Sequence, residues 1–83
     1  MEKSVRTSDD FGPIIRDLRL KLHLTQVELS ERVGIKQATL SSIERGSKNA
    51  EMKTIFAILS GLNMELTVRP RVKRPAGYAP GSK

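Results

Sequence analysis

A chain of 83 residues with 37% hydrophobic side chains, three aromatics and no Trp has material for one small core of Leu, Ile, Val and Met, which excludes a second domain. The lack of Cys removes disulfides and thiolate metal sites, and His23, the single histidine, cannot form a metal cluster alone, so no metal or cofactor is expected. The formal charge of +6 lies almost wholly at the end: residues 69–83 hold Arg69, Arg71, Lys73, Arg74 and Lys83 with no acid, whereas residues 1–68 hold ten bases against nine acids.

Residues 1–10 are polar and without periodicity, which predicts an unfolded, flexible N-terminal arm. From Phe11 the apolar residues Ile14, Ile15, Leu18 and Leu22 recur at helical spacing, with Pro13 tolerated in the first turn, and predict a helix over 11–22. Thr25 followed by Glu28 matches a capping box and starts a second helix that stops at Gly34. A third helix is expected over Gln37–Arg45, with Leu40 and Ile43 inward, a small polar outer face and Gly46 as its stop signal. After the loop Ser47–Ala50, a fourth helix over 51–61 is expected to bury Met52, Ile55, Ile58 and Leu59.

Residues 64–69 then alternate apolar and polar, with Met64, Leu66 and Val68 on one face, and Pro70 interrupts pairing. One strand leaves its backbone groups unpaired, so it is expected to pair with the same strand of a second copy about a two-fold axis. The expected organisation is an all-α, compact domain of four helices over 11–63, a dimerisation strand at 64–69 and a flexible basic tail at 70–83. Tyr78 is the one large apolar group in that tail and fits either a partner anchor or a solvated residue. The basic tail fits attraction to nucleic acid as well as simple solvation. No apolar run approaches the ~20 residues that span a bilayer, and MEKSVRTSDD lacks the apolar stretch of a secretory signal, so a cytoplasmic location is expected. Scattered single acids, one His and no phosphate-cradling glycine loop argue against an enzyme, and no catalytic residue is assigned.

The segment TQVELSERVGIKQATLSSIERG, Thr25 to Gly46, is the most specific signal in the chain. Two short helices joined by a tight turn need a small residue at their crossing, one tolerant of positive φ at the turn, and apolar anchors on the second helix. Ser30, Gly34, Leu40 and Ile43 occupy those positions. The pattern resembles the Cro and phage-repressor-like (XRE) helix-turn-helix family over about residues 11–63, departing in Ser30 where that family usually has Ala. A buried Ser30 would need a partner for its hydroxyl.

In such a pair the second helix lies in the major groove with its N-terminal residues at base edges. The resemblance therefore implies base contacts from Lys36, Gln37, Ala38 and Thr39: Gln37 to adenine, Lys36 to guanine or phosphate, and Ala38 or the Thr39 methyl to a thymine methyl. Thr25, Gln26, Ser41, Ser42, Lys48 and Asn49 would be phosphate or orienting contacts. It also implies a partly buried, structural ion pair between Arg19 and Glu44. GIKQATLSSIE, followed by ILSGLNMELTVRPR, is similar to the HipB-type antitoxins of that family, autorepressors of HipA-type serine/threonine kinase toxins whose fourth helix is followed by an intersubunit strand. That resemblance implies a homodimer on a palindromic operator in double-stranded DNA, and a HipA-like kinase as partner. A free-standing regulator without a toxin, and an interaction module that keeps the fold without reading DNA, are the alternative readings.

Overall fold

The computed structural model describes residues 4–46 and 50–70. Four helices, α1 (Phe11–Lys21), α2 (Gln26–Val33), α3 (Gln37–Glu44) and α4 (Met52–Gly61), follow a 3-10 turn at Ser8–Asp10. The fold is all-α. The region expected as an unfolded arm is thus ordered into a turn from Ser8, because the Asp10 carboxylate accepts the Arg6 and Thr7 backbone N–H groups at 2.7 and 3.1 Å. Those bonds favour the charged form and hold Asp10 below the usual carboxylate range. The basic tail and Tyr78 lie outside the described residues.

Helix ends are set by left-handed residues. Gly34 ends α2 with φ +85°, the conformation that a residue without Cβ adopts cheaply. α1 and α4 instead end at His23 and Asn63, with φ of +58° and +60°. At both ends the two N–H groups after the helix fold back: His23 to the Leu20 carbonyl and Leu24 to the Arg19 carbonyl, Asn63 to Ser60 and Met64 to Leu59. His23 is exposed, and its positive φ supplies the backbone turn between α1 and α2.

Ile15 and Leu18 of α1, Leu29 of α2, Leu40 and Ile43 of α3, and Ile55, Ile58 and Leu59 of α4 form one buried cluster, which Leu62 closes. Phe11, Ile14, Leu24, Val33, Ile35 and Ala50 pack around it. Two residues read as inward are not. Leu22 follows the last turn of α1, where the chain has left the helical path, and Met52 opens α4 one turn before the core is reached at Ile55; they are 46% and 48% exposed.

From Glu65 to Pro70 the described chain carries no helix and no strand pairing, and Val68 is fully exposed. α1 and α3 approach most closely at Gly12. A Cβ there would collide with the Ile43 carbonyl oxygen and lie 2.9 Å from that of Glu44, so the start of α1 rests directly on the backbone at the end of α3. Gly12→Ala is expected to cost about 1 to 3 kcal/mol, as overpacking against immobile backbone does. Urea unfolding followed by circular dichroism measures it, and an unchanged midpoint would disprove the close contact.

Candidate nucleic-acid interface

The local rules that start α2 are satisfied in full. Thr25 Oγ1 accepts the Glu28 N–H at 3.0 Å, and the Glu28 carboxylate accepts the Thr25 N–H at 2.8 Å. This backbone hydrogen bond, reinforced by the Thr25 side chain, lowers the Glu28 pKa. Thr25 is therefore engaged as a cap, and its side chain stays at the surface. At the crossing with α3, Ser30 is buried, and its hydroxyl donates to the Val27 carbonyl at 2.8 Å, so the polar group introduced there has a partner.

One charged group ties these elements together. Arg19 projects from α1 and is only 7% exposed. Its Nε donates to Glu44 Oε2 at 2.7 Å and its Nη2 to Glu44 Oε1 at 3.0 Å, a bidentate fork across the end of α3. Nη1 donates to the Leu24 carbonyl at 2.8 Å, in the turn before α2. Bonding to the Glu44 carboxylate, outweighing desolvation, raises the pKa of the guanidinium. Gln26, the first residue of α2, completes the cluster by donating its amide to Glu44 Oε1 at 3.1 Å. Gln26 was read as a phosphate or orienting contact; the structure shows its amide bound to Glu44, the residue that ends α3.

With Glu44 turned inward beside Leu40 and Ile43, the opposite face of α3 carries no acid of its own. Leu40, Ile43 and Glu44 are buried, whereas Gln37, Ala38 and Thr39 are exposed and Ser41 and Ser42 half-buried. Lys36 caps α3 through its backbone, with no side-chain bond to the first-turn amides, and is itself exposed. Lys36, Gln37, Ala38 and Thr39 are thus brought together at one end of α3. An open groove of about 370 Å³ runs beside them, lined by Ala38, Thr39, Ser42 and Ile43 on one side and Ala50, Glu51 and Thr54 on the other. Thr54 was not anticipated, because α4 was read for its apolar residues alone. Lys48 and Asn49 lie outside the described residues.

Arg45 was also missed. It follows Glu44 at the end of α3, is exposed, and stands seven residues after Ala38, close to two helical turns, so it shares the outward face with Ala38, Ser41 and Ser42. Its Nη1 donates to Ser41 Oγ at 2.7 Å. That spacing was legible in the sequence. Among the described residues no group of His, Asp and Glu fit to hold a metal ion is found, and no helix is long and apolar enough to cross a membrane.

A helix-turn-helix family model matches residues 15–68, which takes in α2, α3 and α4. The chain belongs to the helix-turn-helix family. Among relatives, the antitoxin HipB of Escherichia coli is 43% identical over 44 residues, which are 53% of this chain and 50% of the antitoxin. The chain thus spans about half the length of the HipB antitoxins it matches. An uncharacterized HTH-type transcriptional regulator of Haemophilus influenzae is 32% identical over 76 residues, covering 87% of this chain and 78% of that protein. Similar solved structures are a HipA-HipB-O2-O3 complex, with TM-score 0.76 and 29% identity over 83% of this chain and 97% of that one, and a HipB-O4 20mer complex, with TM-score 0.77 at the same identity and coverages.

Within this helix-turn-helix domain the Arg19 fork is the most exposed to single substitutions, since removing one partner of a buried pair strands the other charge. Arg19→Ala is expected to destabilise the fold by about 3 to 5 kcal/mol. Thermal unfolding measures this, and a loss below about 1 kcal/mol, the value of a surface ion pair, would show that Glu44 is not buried as described.

Proposed function

We propose that the chain is a homodimeric, sequence-specific DNA-binding repressor that inserts α3 into the major groove of a palindromic operator. The observation that carries this reading is the outward face of α3. It is small and polar, bracketed by Lys36 and Arg45, and its one acid, Glu44, is turned inward and neutralised by Arg19. A face without carboxylates and with short side chains suits close approach to phosphates and base edges. Exposed Lys36, Gln37, Ala38 and Thr39 fit the base-contacting positions, and the start of α3, where the Lys36 side chain makes no capping bond, would offer its amides to a phosphate. Ser41 and Ser42 fit orienting or phosphate contacts, as would Lys48 and Asn49. The likeness to HipB complexes supports the same docking.

The dimer rests on residues 64–69. Met64, Leu66 and Val68 are 39%, 37% and 101% exposed in the single chain, an apolar row at strand spacing that a second copy would cover. Two such domains would set their recognition helices about one DNA turn, ~34 Å, apart. Val68→Asp places charge in the ribbon and is expected to shift the mass by light scattering from dimer towards monomer, whereas an unchanged mass would refute this interface.

The finer reading is that the repressor is also the antitoxin of a HipA-like serine/threonine kinase. It is supported by identity to HipB antitoxins and by the structural match to a HipA-HipB complex. The Haemophilus regulator, matched over more of its length, favours a second reading, a free-standing regulator. Copurification of a kinase-like protein with the tagged chain from its native cells distinguishes the two.

DNA reading is tested by selecting duplexes from a randomised pool and measuring affinity by fluorescence anisotropy near physiological salt. A preference of ~10³-fold or more over a scrambled duplex, weakened by ~1 to 3 kcal/mol in Gln37→Ala, is expected. Equal, weak and strongly salt-dependent binding to both duplexes would mean that net charge alone is responsible.

A further inference from the structure

Resting on the DNA-binding reading, we propose that Arg45 is a specificity-determining residue: its guanidinium, oriented by Ser41, reads the major-groove edge of a guanine in each half-site. Arg45 lies at the far end of α3 from the residues expected at the bases, and its reach decides the matter. Helical side chains lean towards the N-terminus, and the 2.7 Å bond from Arg45 Nη1 to Ser41 Oγ shows the guanidinium drawn back one full turn, ~5.4 Å, along the outward face. It therefore lies level with Ser41, one turn from the first-turn residues Gln37 and Ala38. A guanidinium carries five N–H donors, of which the Ser41 bond uses one, leaving a fork for the two acceptors, O6 and N7, that a guanine edge presents.

Three further observations agree. Among the described residues no carboxylate stands within ion-pair distance of Arg45, and Ser41 is the one side chain that its guanidinium engages. The nearest acid in sequence, Glu44, points the opposite way and is held by Arg19. Ala38 and Ser42, which share the outward face, are short enough to let a base edge approach the guanidinium. Ser41 is then a positioning residue: it fixes the plane of the fork before binding and lowers the cost of ordering a long side chain.

Binding-site selection from a randomised 30-base-pair duplex pool, run in parallel on the full chain, Arg45→Ala, Arg45→Lys, Ser41→Ala and Gln37→Ala, tests the proposal. The full chain should enrich an inverted repeat with one fixed G·C pair per half-site whose identity is lost with Arg45→Ala and not with Gln37→Ala. Discrimination at that pair should fall roughly 5- to 150-fold. Arg45→Lys should not restore it, because an ammonium is not a planar fork. Ser41→Ala should weaken it at the same pair only. An Arg45→Ala motif identical to the parent's, with affinity uniformly reduced and a shallower salt dependence, would make Arg45 a phosphate contact and overturn the proposal. Unchanged motif and affinity would overturn it too. If the full chain enriches no motif at all, the DNA-binding reading fails with it, and circular dichroism of Arg45→Ala separates any of these results from unfolding.

Discussion

The architecture depends on one buried ion pair. Arg19 leaves α1 and spends its three nitrogens on two elements: Nε and Nη2 on Glu44 at the end of α3, and Nη1 on the Leu24 carbonyl in the turn that precedes α2. Gln26 adds the start of α2 to the same carboxylate. Burying two charges is costly, and an apolar pair of equal volume would often stabilise as well. What an apolar pair cannot do is fix direction. The planar fork sets the orientation of α3 against α1 and α2, while Gly12, pressed on the Ile43 and Glu44 carbonyls, sets the distance.

The same pair governs the surface. Glu44 is the only acid of α3, and by holding it inward Arg19 keeps that helix's own carboxylate off the opposite face, although Glu51 stands across the groove. Stability and the charge of that face are therefore coupled through a single residue pair. The helices that flank it are secured by cheaper means: a reciprocal Thr25–Glu28 cap, a left-handed Gly34, and Arg32 donating from α2 to the Gly61 carbonyl at 3.3 Å. The apolar cluster from Ile15 to Leu62 supplies the bulk of the burial, and the polar cluster decides how the helices are aimed.

What the sequence disclosed follows the range of each interaction. The Thr25–Glu28 cap, the Gly34 stop and the helical spacing of Ile15, Leu18, Ile55, Ile58 and Leu59 are local, and they were legible. The Arg19–Glu44 pair joins residues 25 apart and came only from family resemblance. Leu22 and Met52 were misread because periodicity gives the face of a helix and not where the core ends along it. His23 carries no glycine-like signal, yet it takes the positive φ, since the Leu24 to Arg19 bond and the packing of partly buried Leu24 against the core reward that turn. Arg45 was given no role because base contacts are expected from the first turn of the third helix, although its spacing from Ala38 and Ser41 puts it on the outward face.

On the proposed function, DNA meets the outward face of α3 as the Arg19–Glu44 pair holds it. Amide chemical-shift mapping of ¹⁵N-labelled protein titrated with a selected duplex tests this most directly. The largest shifts are expected on Lys36 to Ser42, Arg45 and Gln26, with Phe56 and Lys53 on the outer face of α4 little changed. Shifts concentrated on Phe56 and Lys53, with Lys36 to Arg45 unmoved, would contradict it.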